Sequence, residues 1–106
     1  IMAEELKILG EGQLPNAEDS LYLVPGATTA IAKKITIHNT NTSVETVILY
    51  IKKSGQTSRI IIYVELGVKY SIHDISAHSL GAGDDIRGQT TTAAKVDYTI
   101  EGLEFT

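Results

Sequence analysis

At 106 residues, with a formal net charge of −4 and no cysteine, the chain has room for one domain around one core, and neither disulfides nor thiol chemistry enter its description. The mild acidity argues against nucleic acid as a partner, because phosphate contacts need clustered Lys and Arg and the only basic pairs are Lys33–Lys34 and Lys52–Lys53. No apolar run approaches the ~20 residues that span a bilayer, and the first residues lack the apolar stretch of a signal peptide, so the expectation is a soluble protein made in a cytoplasm, with no membrane partner.

In chain order, residues 4–9 (EELKIL) fit a helical turn or an edge strand, and residues 11–20 a loop punctuated by Gly12, Pro15, Asn16 and Asp19. Residues 1–20 therefore read as an N-terminal segment, an arm or edge strand, ahead of a domain spanning 21–106. Leu21–Val24 is a brief strand ended by Pro25–Gly26, a favoured turn pair. In the stretch from Thr29 to Ile51, Ile31, Ile35 and Ile37 share one side while Ala32, Lys34, Thr36 and His38 share the other. That period of two marks a half-buried strand. Asn39–Ser43 supplies a turn and Thr46–Ile51 a second strand, so a β-hairpin is expected at the centre of the domain.

A polar turn around Gly55 follows, then Arg59–Leu66 (RIIIYVEL), a strand that does not alternate. Val68–His73 alternates again, residues 74–80 are ambiguous, and Leu80–Asp85 reads as a tight turn in which glycine permits positive φ. Ile86 begins a short strand. In the long strand Ala94–Phe105, Val96, Tyr98 and Ile100 share a side, but Leu103 and Phe105 break that parity, which places a bulge at Gly102. Seven or eight strands at roughly ten-residue spacing indicate an all-β fold, an antiparallel β-sandwich with the jelly roll as a variant.

Two strands carry apolar residues on both sides. Val47, Leu49 and Ile51 oppose Ile48 and Tyr50, and Ile60, Ile62 and Val64 oppose Ile61 and Tyr63. A two-layer sandwich has one inner face per sheet, so Ile48, Tyr50, Ile61 and Tyr63 form a candidate interface. It would be covered by a second subunit or by another part of the chain, such as residues 1–20.

Reactive chemistry finds little support. His73–Asp74 with His78, or Asp74 with Asp84–Asp85, could suggest a metal site, but neither has the ligand spacing of a known type. His38 belongs on the polar side of its strand. Leu80–Gly83 lacks the lysine and helix of a phosphate loop, and the serines have no histidine–acid context. Asn41-Thr42-Ser43 matches a glycosylation acceptor. No cofactor and no catalysis are expected. Tyr22, Tyr50, Tyr63, Tyr70, Tyr98 and Phe105 are the only aromatics available for sugar stacking.

The segments LYLVPGATTAIAKKITIHNTNTSVETVILYI and LGAGDDIRGQTTTAAKVDYTIEGLEF resemble a family of small virion proteins of tailed bacteriophages. The matching residues are Leu21, Tyr22, Val24 and Pro25, then Asn39 and Thr40, then Leu80, Ala82, Gly83, Asp84 and Ile86, then Gln89, and finally Val96, Tyr98, Thr99 and Ile100. The resemblance covers roughly residues 20–105 and implies a non-enzymatic structural role in the particle, on the tail, neck or capsid. It also implies homo-oligomerisation and contacts with other virion proteins. The Arg59–Leu66 strand is more aliphatic than that pattern, and residues 1–20 lie outside it. The alternative from a different class is a receptor- or glycan-binding module.

Overall fold

A computed structural model describes residues 4–106; residues 1–3 of the N-terminal segment lie outside the described residues. Nine strands follow one another: β1 (Glu4–Gln13), β2 (Asp19–Leu23), β3 (Thr29–Asn39), β4 (Glu45–Lys52), β5 (Ser58–Leu66), β6 (Ser71–Asp74), β7 (His78–Leu80), β8 (Asp85–Thr90) and β9 (Val96–Phe105). All pairing is antiparallel. The first sheet has the order β1-β9-β3-β6, with β7 also on β3, and the second has the order β2-β8-β4-β5.

β6 pairs with residues 35–38 of β3 and β7 with residues 30–32, so the two short strands share one position end to end. Each sheet then has four positions. The chain changes sheet at every connection except β4–β5 and β6–β7, which is the wrapping of a jelly roll. The core lies between the sheets. Ile35, Ile37, Val96 and Ile100 of the first meet Val47, Leu49 and Ile86 of the second, with Leu14 closing one end. Each such side chain gains about 1.5–3 kcal/mol from burial.

The expected hairpin from Thr29 to Ile51 does not form. β3 takes β9, β6 and β7 as neighbours, whereas β4 takes β5 and β8. Residues 40–44 carry the chain across the sandwich. Alternation determines which face of a strand is buried, not which strand lies beside it, and these two bury their apolar faces toward each other from opposite layers.

The parity break in β9 also has a different origin. Val96, Ile100 and Gly102 are all buried, so β9 keeps one face inward through Gly102. The extra residues sit on its neighbours, at Leu9 in β1 and Lys33 in β3, where the registers jump. Gly102 is required for space: a Cβ there would stand 2.0 Å from the carbonyl oxygen of Ile31. Leu103 and Phe105 consequently face outward. Nor does a strand begin at Val68. Tyr70 N–H bonds Gly67 O at 3.0 Å, Lys69 has φ 60°, and pairing starts at Ser71. The tight turn before β8 forms as read, with Gly83 at φ 83°.

Gly102→Ala should lower stability by about 3 kcal/mol, the upper end for an overpacked site, because the neighbour it meets is backbone. Thermal melting of the variant measures this.

Candidate interaction surface

The outer face of the second sheet is organised by a bulge. β4 and β5 pair Ile48 with Tyr63 and Leu49 with Ile62, then step to Tyr50 with Ile60. Ile61 is the extra residue. It packs against the core with Ile62 and Val64, so it does not belong to the outward set in which the sequence placed it. Ile60, expected inward, takes its place. The outward apolar row is Ile48, Tyr50, Ile60 and Tyr63, with Ile60 56% and Tyr63 66% exposed. Among the described residues the N-terminal segment leaves Ile60 and Tyr63 exposed: Glu4–Gln13 forms β1 at the edge of the other sheet, and Glu18 reaches this face only at its rim.

A polar frame borders this row. Arg87 Nε donates to Glu18 Oε2 at 2.7 Å and its Nη1 to Asp85 Oδ2 at 2.9 Å, while Ser58 Oγ donates to the same Glu18 oxygen at 2.6 Å. Ser20 Oγ donates to Asp85 Oδ1 at 2.6 Å. The hydrogen bonds from Ser58 and Arg87 hold the Glu18 carboxyl below its usual range. Tyr50 OH donates to Gln89 Oε1 at 3.1 Å, and burial, then the nearby Glu18 charge, push its phenol upward. The arrangement holds the Tyr50 ring and the charges of Glu18, Asp85 and Arg87 at the surface.

The candidate metal residues are not brought together. His78 Nε2 lies 2.9 Å from Asp74 Oδ2, whereas His73 Nδ1 lies 3.2 Å from the Thr36 hydroxyl. Asp84 turns away from both, accepting from Ser54 N at 2.9 Å, Gly81 N at 2.8 Å and Lys53 Nζ at 3.0 Å. Among the described residues no cluster of three metal-ligating side chains exists. Among the described residues one shallow cleft of about 450 Å3 lies beside Ile31, Lys53 and Phe105, and another of about 500 Å3 beside Glu11, Asp97 and Tyr98. Tyr63 and Tyr70 are exposed but line neither.

Sequence reasoning missed a second outward cluster. Leu6, Leu103 and Ile31 stand side by side across β1, β9 and β3, with Leu6 74% exposed. The signal was present in the parity of Leu103 and Phe105, which outward placement explains directly. Also missed was the buried pair Asn39 and Glu45. Asn39 Nδ2 donates to the carbonyls of Ser43, Leu66 and Gly67 at 3.0–3.2 Å. Glu45 accepts from Asn41 Nδ2, the Thr90 hydroxyl and Thr92 N at 2.8–3.1 Å.

No protein-family model matches the chain, and no curated protein matches it.

Replacing Ile60 and Tyr63 together by Ser should leave the melting temperature of the isolated chain within a few degrees, since exposed positions shift stability by about 0.5 kcal/mol or less. Ile61→Ser should lower it clearly. The reverse order would mean that the bulge lies elsewhere.

Acid sensitivity follows from the carboxylates. Burial opposes ionisation of Glu45 and of Asp84, but hydrogen bonds from Asn41, Thr92 and Thr90 to the first, and from Ser54, Gly81 and Lys53 to the second, outweigh it. Glu104 is lowered by bonds from Tyr22 and Lys7. A folded-state pKa below the unfolded value contributes stability that is full above the unfolded pKa of about 4 and is lost as pH falls through the folded one. Denaturant midpoints should therefore hold from neutrality to about pH 5 and fall below about pH 4. In Glu45→Gln that acid slope should be shallower.

Proposed function

We propose that this chain is a non-enzymatic structural protein of a bacteriophage particle that self-associates through its second sheet and packs among other virion proteins on the tail, neck or capsid. The observation that carries the self-association is the outward row Ile48, Tyr50, Ile60 and Tyr63, whose members Ile60 and Tyr63 stay exposed among the described residues. Exposed apolar rows of this kind, rimmed by polar residues, mark interaction sites.

The role in a particle is supported by the resemblance, and the residues that carry it have structural work in this fold. Tyr22 is buried and its hydroxyl donates to Glu104 Oε2 at 2.5 Å. Asn39 ties three carbonyls, Asp84 joins the turn before β8 to the turn after β4, and Val96 and Ile100 are core residues of β9. A motif made of such residues specifies a scaffold rather than an active site. The receptor- or glycan-binding alternative would rest on exposed Tyr63 and Tyr70, but a small-ligand site calls for a concave site with convergent polar groups, and neither ring lines either of the two clefts described above.

Antibody raised to the chain should decorate purified particles at regularly repeated positions in electron micrographs. Particles that carry none of this chain by labelling and by mass spectrometry would overturn the virion role.

A further inference from the structure

β5 closes one end of the second sheet, so one side of it presents N–H and C=O groups to which, among the described residues, no strand is paired. β1 and β2, at the opposite ends of their sheets, approach each other, which leaves β5 on the other side of the sandwich.

We propose that a second copy of this chain occupies that edge. β5 pairs antiparallel with β5 of the partner subunit about a two-fold axis between Ile61 and Ile62, joining two four-stranded sheets into one continuous sheet. This deepens the self-association in the proposed function and rests on it.

The register follows from side-chain direction. Ser58, Ile60, Tyr63 and Glu65 lie on the outward side, since their β4 partners are Lys52, Tyr50, Ile48 and Thr46. Arg59, Ile61, Ile62 and Val64 lie on the core side, the bulge placing two consecutive residues there. Directly opposed residues in an antiparallel pair share a face. Sliding β5 along its two-fold copy, one register keeps outward against outward along the whole strand. It sets Ile60 opposite the partner's Tyr63, Ser58 opposite the partner's Glu65, and Ile61 opposite the partner's Ile62. Centring the pair on Ile62 instead would oppose core-side Ile61 to outward Tyr63, and the other shifts fail similarly. A bulge ordinarily blunts an edge, but here each bulge meets its own symmetry copy and the pleats stay in phase.

Three further features fit that register. Tyr50 and Ile60 continue into the partner's Tyr63 and Ile48, giving an unbroken apolar row across the seam. Lys52, outward beside Ser58, comes about 10 Å in Cα distance from the partner's Glu65 at the usual strand spacing, so two long side chains of opposite charge can meet. An edge nine residues long on a two-layer sandwich measures about 30 Å by 20 Å. That covers on the order of 600 Å2 per copy, the low end for a specific interface, and fits association in the micromolar range.

Because the chain has no cysteine, introduced thiols report without background. Ile60→Cys and Tyr63→Cys chains, made separately and mixed at about 100 μM, well above a micromolar dissociation constant, are oxidised gently. Directly opposed Cβ atoms come within about 5 Å, close enough for a disulfide after small adjustment. The mixture should give a linked dimer containing one of each chain, at least about tenfold above the dimer from either chain alone, since a factor of ten is a clear preference. Wild type should sediment as a dimer at the same concentration. A wild-type oligomer with no mixed cross-link, or with cross-links equally strong in each chain alone, overturns β5 pairing and leaves self-association standing. A wild-type monomer overturns both, and neither result depends on where the protein lies on a particle.

Discussion

The crossing of the chain from one sheet to the other between β3 and β4 depends on a small buried polar cluster. Asn39 ends β3 fully buried and gives its amide hydrogens to carbonyls of the 39–43 turn and of the β5 end. Its own carbonyl oxygen accepts from Asn41 N at 2.8 Å. Asn41 passes the connection on to Glu45, the first residue of β4, which also receives Thr90 and Thr92 from the end of β8. Buried backbone groups left unpaired cost about 1–3 kcal/mol each, and here the carbonyls of Ser43, Leu66 and Gly67 accept from Asn39. Four chain segments are thereby held at one end of the sandwich, and β4 is delivered to the second sheet with Val47 and Leu49 facing the core.

That delivery also determines what the outer surface becomes. With Val47 and Leu49 inward, Ile48 and Tyr50 must point out, and β5 aligned beside them adds Tyr63. The bulge then substitutes Ile60 for Ile61 and extends the apolar row to the strand's beginning. The polar frame from Glu18, Arg87 and Asp85 lies on the same sheet but on β8 and the segment before β2. The apolar residues of this face are thus gathered on β4 and β5, with Lys52 and Glu65 at the two ends of the row and the polar frame reaching Ser58 at the start of β5.

Much of this architecture was legible in the residues. Strands alternate in Ile35–Asn39 and in Thr46–Ile51, and the turns at Pro25–Gly26, Gly55 and Gly83 fell between strands. But the extra residue at Lys33 turns Ile31 outward and Ala32 inward, the reverse of the sides that counting in twos assigns them, and Gly12 lies within β1. What alternation does not carry is the identity of a neighbour. Thr29–Ile51 looks like a hairpin because five polar residues join two strands, yet the same five residues can turn a corner between layers when an asparagine at the corner bonds carbonyls of the turn and of the β5 end. One bulge was placed on the wrong strand and another was not foreseen. An extra residue on a neighbouring strand leaves no mark in the sequence of the strand beside it, so the parity of Leu103 was charged to Gly102, whereas in β5 the extra residue is Ile61 itself, which counting in twos from Ile60 had put outward. The candidate surface was legible as a place, Ile48, Tyr50 and Tyr63, but its fourth member was decided by pairing.

Hydrogen exchange on the unmodified chain tests most directly whether the β4–β5 side of the second sheet is where copies meet. Amides of Ser58–Leu66 should exchange more slowly at about 100 μM than at about 1 μM, a range that brackets micromolar association, while those of β1 and β9 stay unchanged. Equal exchange in β5 at both concentrations, or new protection confined to the strands carrying Leu6, Ile31 and Leu103, would contradict it.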